Sequence, residues 1–491
     1  MSKENTFSAP LSPGDASMQR TAYVALAGLF LLAVGAVLWY QERMFADTAF
    51  IAFSITNYKR LYIQNERYGS FITQIVPLIG TKLHLSLRGI LIAYSLSFNL
   101  FYFLVAGILV KGLRQYGLAI LMCLYYFLFV SDSYFLINDE LHQGIAWMFL
   151  MFGLLVYMSQ RRVHFVLLLL PFVVLLFLAA SSHFIVFVPL AYIWVYMMLQ
   201  KDRPVPMRTM IALSALLVGL CLVKLNSSGS SQTYEREHLH ALLKISIPDL
   251  WKAFDTTVIK LFLQRCLTNY WSAALLLLIS LALLVKHGYR LIAGYLVLGV
   301  LGYCSLMGIV FANYGDSTAL AHIETEWASL GIIIAAPFAL TLVQHMRART
   351  AIIMLAAIIL VRSGYIVASS EKFVWRTTFM KEVFAQMRKK NITKLALSDP
   401  GDLPRKLQLH WVLPEESLFV SAAMGDMPQR SFRFIDFNNR EDKQAFAAMK
   451  ADSTGFSFCF TYLTPKDLNP DYYHPDTTQP YVVMPYAEFV K

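Results

Sequence analysis

Long apolar runs separated by short polar connections fill the chain between positions 22 and 370. A helix needs about 20 mostly apolar residues to cross the hydrocarbon core of a bilayer, and the pattern contains about eleven such runs. The predicted spans are 22–40, 87–110, 115–137, 143–158, 163–181, 183–200, 209–225, 270–286, 290–311, 328–345 and 350–368. The fold class that this pattern predicts is an all-α polytopic membrane protein.

Two of the connections are long, and both combine apolar with basic stretches. In the connection 41–86, an apolar run over 48–55 precedes a polar stretch that includes Lys59 and Arg60. In the connection 226–269, a flexible strip rich in Ser and Gly precedes a mixed, amphipathic segment. A helix with an apolar face beside a basic face lies in the plane of the membrane interface. We therefore expect interfacial helices in both connections.

The two ends of the chain differ from the spans in composition. Residues 1–21 are rich in Ser and Pro, which predicts a disordered tail. Residues 371–491 are polar, and prolines separate their short strand-like runs. That pattern predicts a small α+β domain after a membrane domain that comprises residues 22–370.

Basic residues are distributed unequally between the short connections, and this distribution predicts the topology. Connections with two or three basic residues alternate with connections that have none. The basic ones are 111–114, 161–162, 201–208, 286–290 and 347–349, and those without Lys or Arg are 138–142, 181–183 and 312–327. Because basic connections stay in the cytoplasm, we expect a cytoplasmic N-terminus and an extracytoplasmic C-terminal domain. A bacterial inner membrane fits this arrangement best.

Composition excludes several other classes of protein. Hydrophobic residues make up 57% of the chain and charged residues only 15%, which is too few charges for a soluble protein of this length. The net charge of +11 indicates contact with anionic lipid, because no basic arm or zinc-finger spacing indicates a nucleic-acid partner. The five cysteines are not spaced as metal ligands.

Several carboxylates fall on the predicted outer side. Asp47 follows the first span closely, and Asp132 lies inside the third, where an ionised group is costly unless it is paired or hydrated. Asp132 is therefore either a functional residue or an interfacial acid that reaches water among the lipid headgroups. Asp139 and Glu140 lie in a short polar turn that could orient a substrate or hold a divalent cation through oxygen ligands. The same turn could equally cap a helix.

Cations on the same side are candidate ligands for a lipid phosphate, whose negative charge must be neutralised. Arg362 lies within the last span, where it could bind the phosphate of a substrate or that of a headgroup. The other candidates for substrate binding are Arg43, Lys59, Arg60, Arg265, His183, His322 and Glu324. Each of the two histidines could instead be a hydrogen-bonded packing residue.

The order of these features resembles the GT-C class of membrane glycosyltransferases. The resemblance rests on Phe45-Ala46-Asp47 after the first span, on the acidic residues from Asp132 to Glu140, and on the C-terminal outer domain. It implies inverting transfer of a sugar from a polyprenyl phosphate or diphosphate to a glycan, lipid or protein acceptor. Ala46 stands where some members of the class have a second acid, so a requirement for Mg²⁺ or Mn²⁺ is open.

The resemblance also implies a role for each candidate residue. Asp47 would be the general base that removes the proton of the acceptor hydroxyl. Asp132, Asp139 or Glu140 would hold the acceptor. The arginines within and beside the spans would stabilise the departing phosphate.

Two other functions are compatible with the sequence. An O-antigen-type polymerase or ligase also uses lipid-linked sugars, and it would draw on Arg236, His238, His240 and Arg265 in the connection 226–269. A transporter or channel is the alternative that involves no chemistry, but the chain lacks the repeated, broken spans of many transporters.

Overall fold

Apolar helices dominate the computed structural model, which describes residues 13–137, 140–161, 163–227, 247–312, 320–436, 440–451, 454–458 and 462–490. The helices before the C-terminal sheet are α1 Pro13–Leu38, α2 Asp47–Tyr58, α3 Phe71–Lys82, α4 Leu87–Gly107, α5 Tyr116–Leu128, α6 Glu140–Gln160, α7 Phe165–Ser182, α8 Phe187–Leu199, α9 Met207–Ser227, α10 Ile247–Lys252, α11 Thr257–Thr268, α12 Trp271–Lys286, α13 Arg290–Val310, α14 Leu320–Pro337 and α15 Ala348–Lys389.

Seven helices in the described ranges are long and apolar enough to cross a membrane, or eight if α11 and α12 form one bent span. The angle between those two helices is 84°. Three further predicted spans coincide with apolar helical stretches of only 10–17 residues, Tyr116–Leu128, Phe184–Leu199 and Met207–Val223. The prediction of a mostly helical membrane protein is thus confirmed, whereas the described residues do not contain eleven full-length spans.

Two predicted boundaries, at residues 21 and 370, fall inside helices. Helix α1 begins at Pro13, so residues 13–21, predicted as part of a disordered tail, are helical. Residues 1–12 lie outside the described residues. The domain boundary predicted at residue 370 falls inside α15, a single helix of 42 residues. The membrane domain and the C-terminal domain therefore share one helix, whose end contributes Phe384 and Met387 to the core of the C-terminal domain.

Helix α2 is covered by protein and does not lie in the membrane interface as predicted. All its residues from Thr48 to Asn57 are buried. The ring of Phe50 stacks on Phe458 with centroids 5.4 Å apart, and Phe53 packs against Tyr473 at 4.7 Å. An apolar helix between two layers of protein has the same composition as one between protein and lipid, which explains the error.

Helix α11 matches the interfacial prediction better. Leu263 and Leu267, one turn apart, are 56% and 83% exposed, and Trp251 in α10 is 76% exposed. An exposed apolar face of this kind on an amphipathic helix is suited to contact with lipid at the interface.

The C-terminal domain is built on a parallel sheet, so it is an α/β unit, whereas the sequence predicted an α+β arrangement. Its central strand β1 pairs in parallel with β2 on one side and with β5 on the other. Helices lie between successive strands of this sheet, as parallel connections require. The elements are β1 Lys394–Ser398, α16 Leu403–Leu407, α17 Leu413–Ala423, β2 Ser431–Ile435, α18 Arg440–Ala451, β3 Phe456–Ser457, β4 Tyr462–Leu463, β5 Val482–Pro485 and α19 Tyr486–Phe489.

Candidate functional site

Asp47 is the first residue of α2, and its carboxylate lies in a half-buried position enclosed by protein. The preceding residue, Ala46, has φ 50° and ψ −127°, so the chain turns sharply just before the acid. Among the described residues, no hydrogen bond or ion pair engages the Asp47 carboxylate. A carboxylate in this state is able to accept a proton from a substrate.

Glu140 and Arg67 are the charged groups whose fields act on Asp47. Glu140 opens α6 and is buried, and the Arg67 guanidinium lies 2.7 Å from its carboxylate. We call Asp47, Arg67 and Glu140 the Asp47 cluster. The first residues of α2 and α6, Asp47 and Glu140, thus lie in the same region of the structure, where both carboxylates interact with Arg67.

The loop that carries Arg67 is shaped by a left-handed turn and a close packing contact. Asn65 and Glu66 both have positive φ, 47° and 56°, which reverses the chain just before Arg67. Two residues later, a Cβ atom on Gly69 would lie 2.3 Å from the carbonyl oxygen of Leu178 in α7. Only glycine permits that approach, so the position of Arg67 depends on both features.

The surroundings of Asp47 favour its protonated form. Burial is the largest cause, and together with the negative charge of Glu140 it raises the pKa of Asp47 to about 7, against the opposing positive charge of Arg67. The positive end of the α2 dipole would lower it, but that effect is worth only about 0.3–1 kcal/mol. A carboxylate with a pKa near neutrality is suited to general base catalysis.

A second group of charges surrounds Glu324, which α14 carries into the interior. Its carboxylate accepts hydrogen bonds from the backbone N–H groups of Ser131 and Ser133, from the Ser133 hydroxyl at 2.8 Å and from the Tyr270 hydroxyl at 2.7 Å. Arg265 lies 3.8 Å away. Glu324 is therefore fully occupied within the protein.

The Arg362 guanidinium also has several hydrogen-bond partners within the protein. Its guanidinium donates hydrogen bonds to the carbonyl oxygens of Phe127, Val130 and Asn269 and to the Ser131 hydroxyl. Helix α5 ends at Leu128, although a span over 115–137 was predicted, and the irregular segment after it leaves backbone groups without helical partners. Such groups need hydrogen-bond partners inside the bundle. The Arg362 cation donates to the carbonyl oxygens, and the Glu324 anion accepts from the N–H groups.

Asp132 lies in the same irregular segment and forms an ion pair with Lys372 of α15. It is also an electrostatic neighbour of Glu324 and Arg265. We call Asp132, Arg265, Tyr270, Glu324 and Lys372 the Glu324 cluster. Its two cations keep partial exposure, with 25% of the Arg265 side chain and 36% of the Lys372 side chain accessible.

An apolar groove lies between α12 and α15. It is lined by Trp271, Ser272, Leu275, Leu276, Ile279, Met354, Ala357, Ile358 and Val361. Trp271 follows Tyr270 in the chain, and Val361 precedes Arg362. The lining thus includes the chain neighbours of Tyr270 and Arg362, and an apolar groove beside polar groups is suited to an amphiphilic ligand.

An aromatic contact lies between the two clusters. Phe373, next to Lys372, stacks on Phe135 with centroids 4.4 Å apart and contacts Phe45 at 5.3 Å. Phe45 lies two residues before Asp47. The structure thus brings Asp47 and Glu140 together in one cluster and Asp132, Arg265 and Glu324 in another, with these rings between them.

The other predicted cations lie elsewhere. Arg43 is buried in the bundle, where it donates to Asn99 at 2.7 Å and to the Tyr134 hydroxyl at 3.2 Å. Lys59 is exposed and pairs with Asp471 at 2.9 Å, and Arg60 is exposed with its guanidinium 5.7 Å from the Tyr58 ring. These contacts do not bring the three cations into either cluster.

The two histidines belong to a different part of the bundle. His183 accepts a hydrogen bond from the Ile185 N–H through Nδ1, and its Nε2 lies 3.8 Å from Glu326. His322 is half-buried on α14. Because α14 is helical, Glu324 and Glu326 point in different directions, as their two sets of partners show.

Metal coordination finds no support in the described residues, which contain no group of three or more His, Cys, Asp or Glu residues able to hold an ion. Asp139, predicted as a possible ligand or acceptor contact, lies outside the described residues, as do Arg236, His238 and His240.

Sequence reasoning missed three residues of the clusters, Arg67, Tyr270 and Lys372. Arg67 is separated from Glu140 by 73 positions, and Lys372 from Asp132 by 240. No local spacing connects such pairs. The only available signal was the charge of Lys372 close to the end of the predicted span 350–368, because Arg67 lies in the middle of the connection 41–86.

The comparisons with known proteins add no family to this geometry: no family model, no curated protein and no solved structure matches the chain.

Proposed function

We propose that this protein is a membrane glycosyltransferase that moves a sugar from a polyprenyl phosphate or diphosphate to an acceptor hydroxyl. The observation that carries the proposal is the Asp47 carboxylate, half-buried, without a hydrogen bond or ion pair among the described residues, and with a pKa raised to about 7. The order of features that resembles the GT-C class supports the same function.

In the proposed reaction, Asp47 removes the proton of the acceptor hydroxyl as its oxygen attacks the anomeric carbon. The bond between that carbon and the phosphate oxygen breaks, and the phosphate leaves with the electron pair. Attack from the face opposite the phosphate inverts the anomeric centre. Glu140, held by Arg67 at 2.7 Å, keeps negative charge beside Asp47 and so sustains its basicity.

The Glu324 cluster supplies the proposed donor site. Arg265 and Lys372 are its partly exposed cations, and a departing phosphate needs such charges. The apolar groove between α12 and α15 would take part of the polyprenyl chain. Arg362 then acts indirectly, because its hydrogen bonds hold the segment that carries Asp132.

The proposed location is a bacterial cytoplasmic membrane, with the N-terminus in the cytoplasm and the C-terminal domain on the periplasmic or extracellular side. The distribution of basic residues among the short connections supports this topology. Both clusters would then face the outside, where a glycan, lipid or protein acceptor is available.

The decisive test is transfer in proteoliposomes that contain a set of polyprenyl-phosphate sugars, with release of polyprenyl phosphate as the readout. Wild-type protein should release it when an acceptor is present, and Asp47→Asn should not. Transfer that survives Asp47→Asn but is lost in Arg236→Gln or His238→Ala would favour the polymerase or ligase. Solute uptake without transfer would favour a transporter.

A further inference from the structure

The backbone just before Asp47 is bound by a residue of the C-terminal domain. The N–H group of Ala46 donates a 2.9 Å hydrogen bond to the Glu416 carboxylate, which α17 carries into the interior. Glu416 is only 2% exposed. A buried carboxylate from 370 positions away therefore bonds the peptide group that precedes the candidate base.

Glu416 is itself fixed by Arg376 of α15. The Arg376 Nε donates to the second carboxylate oxygen at 2.7 Å, and Nη2 lies 2.7 Å from the same oxygen. Nη1 donates to the Leu407 carbonyl, and the guanidinium lies 4.8 Å from the centre of the Phe45 ring. The pair thus contacts both residues that precede Asp47, one through its backbone and one through its ring.

The conformation of Ala46 needs this support. A φ of 50° is unfavourable for a residue with a Cβ atom, and such conformations persist where surrounding contacts impose them. Without the bond to Glu416, the Ala46 peptide group could rotate towards a relaxed conformation. That rotation would change where the Asp47 carboxylate points.

The opposite end of α2 is held by the same domain. Asn57 accepts a hydrogen bond from the Asn469 N–H at 2.8 Å, and Thr56 contacts the Tyr473 hydroxyl at 2.5 Å. The C-terminal domain therefore binds the helix that begins with Asp47 at both ends, and its influence on the acid does not depend on one contact alone.

We propose that Glu416, fixed by Arg376, is a positioning residue that sets the orientation of Asp47 through the Ala46 N–H group, so that docking of the C-terminal domain completes the catalytic site. This inference rests on the proposed function in assigning a catalytic role to Asp47. Among the described residues, the partners of Glu416 are the Ala46 N–H group and Arg376, so its role is exerted through another residue.

The test compares two double variants that differ only in the acceptor at position 416. Arg376→Met with Glu416→Gln removes the ion pair but keeps an oxygen for the Ala46 N–H, whereas Arg376→Met with Glu416→Met removes that oxygen as well. Both replace a buried ion pair by uncharged side chains of similar size, a change that many proteins tolerate. Both therefore avoid the uncompensated buried charge that a single substitution would leave.

The readout that needs no substrate is labelling of Asp47 by dicyclohexylcarbodiimide, which adds to protonated carboxyl groups in apolar surroundings and is detected by mass spectrometry. Wild-type labelling should have its midpoint near the Asp47 pKa of about 7 and disappear in Asp47→Asn. The Met/Gln variant should keep the wild-type midpoint. The Met/Met variant should show a midpoint lower by about one pH unit or more, because a displaced carboxylate is better hydrated.

Sugar transfer in proteoliposomes supplies the second readout. The Met/Met variant should lose about 10- to 100-fold in kcat relative to the Met/Gln variant, since small displacements of a reacting group cost this much. Arg433→Met with Asp442→Asn, which removes both charges of the 2.6 Å ion pair in the same domain, is the control for loss of a largely buried pair. Identical labelling midpoints and kcat values in the two double variants would overturn the proposal.

The two readouts separate failure of this inference from failure of the proposed function. If wild-type protein transfers no sugar, the assignment of glycosyl transfer is wrong, but the labelling midpoints still show whether Glu416 positions Asp47. If transfer occurs and both double variants label like wild type, the function stands and the positioning role falls.

Discussion

Asp47 and Glu324 are both carboxylates enclosed by a helical bundle, yet their surroundings differ in kind. Glu324 accepts hydrogen bonds from two backbone N–H groups and two hydroxyl groups. Asp47 accepts none within the described ranges and keeps contact with solvent. Burial and charge alone made both residues functional candidates, and only the bonding pattern distinguishes them.

The difference indicates what each residue can do. A carboxylate whose lone pairs are all engaged stabilises the groups that engage it, and here those groups belong to the irregular segment after α5. A carboxylate without such partners contributes no comparable stability and is available for a proton. Asp47 therefore has the properties of a reactive group and Glu324 those of a structural one.

Asp47→Asn tests the reactive role of Asp47 and has the largest expected effect. We expect sugar transfer to fall by about 10²- to 10⁴-fold, the usual contribution of a general base, while the protein folds normally. Initial rates in proteoliposomes, at matched protein amounts, measure the effect. Asp426→Asn, which removes a charge that pairs with Arg388 on the C-terminal domain, is the control and should retain the wild-type rate.

The same substitution should also show that the ionisable carboxyl group of Asp47 lowers the free energy of unfolding. The pKa of Asp47 is about 7 in the folded state against 3.8 for an ordinary Asp, so between these values the folded protein binds a proton that the unfolded chain has released. The free energy of unfolding therefore falls as the pH rises from about 4 to about 7. The amide in the Asp47→Asn variant does not ionise, so the free energy of unfolding of the variant does not fall in this way.

At pH 8 we expect Asp47→Asn to be more stable than wild type by on the order of 2–4 kcal/mol, with no difference near pH 4. Thermal denaturation of the detergent-solubilised proteins at the two pH values measures it. Equal free energies of unfolding at pH 8 would show that the pKa of Asp47 is not raised in the folded protein, which would contradict the difference drawn between Asp47 and Glu324.

Glu324→Gln tests whether Glu324 has a structural role. The amide keeps the oxygen that accepts from Ser131 and Ser133, but it places N–H groups where the second oxygen accepts from the Tyr270 hydroxyl and faces Arg265. That hydrogen bond and the ion pair with Arg265 are therefore lost. We expect a decrease of about 1–3 kcal/mol in the free energy of unfolding at neutral pH. Denaturation curves of variant and wild type test this, and a variant with wild-type stability but no transfer would assign Glu324 to the chemistry instead.

The residues themselves show how far the sequence predicts this molecule. Hydropathy locates nearly every apolar helix, because burial in lipid or protein requires the same residues. It does not reveal that α5 ends at Leu128, since the following positions are also largely apolar. The sequence therefore predicts that Arg362 binds a phosphate, whereas in the structure its guanidinium donates to backbone carbonyls at and after the end of α5.

The candidate site was predictable in part for a related reason. Asp47 and Glu140 are acids close to apolar segments, which makes each of them conspicuous in the sequence. Their proximity to one another and to Arg67 depends on the packing of α2 against the C-terminal domain and of α6 against the loop before α3. Such long-range contacts leave no spacing in the sequence from which they could be derived.

A third kind of carboxylate completes the comparison and predicts the smallest effect. Asp471 is exposed and pairs with Lys59 at 2.9 Å, so water and salt compete with the pair. Lys59→Gln should therefore change neither the denaturation midpoint measurably nor the transfer rate by more than about two-fold, since most exposed pairs contribute little. The rate is best measured at low salt, where any attraction of Lys59 for an anionic donor would be largest. A loss of ten-fold or more there, reversed at high salt, would restore Lys59 to the phosphate-binding residues and place the donor nearer to α2 than the Glu324 cluster implies.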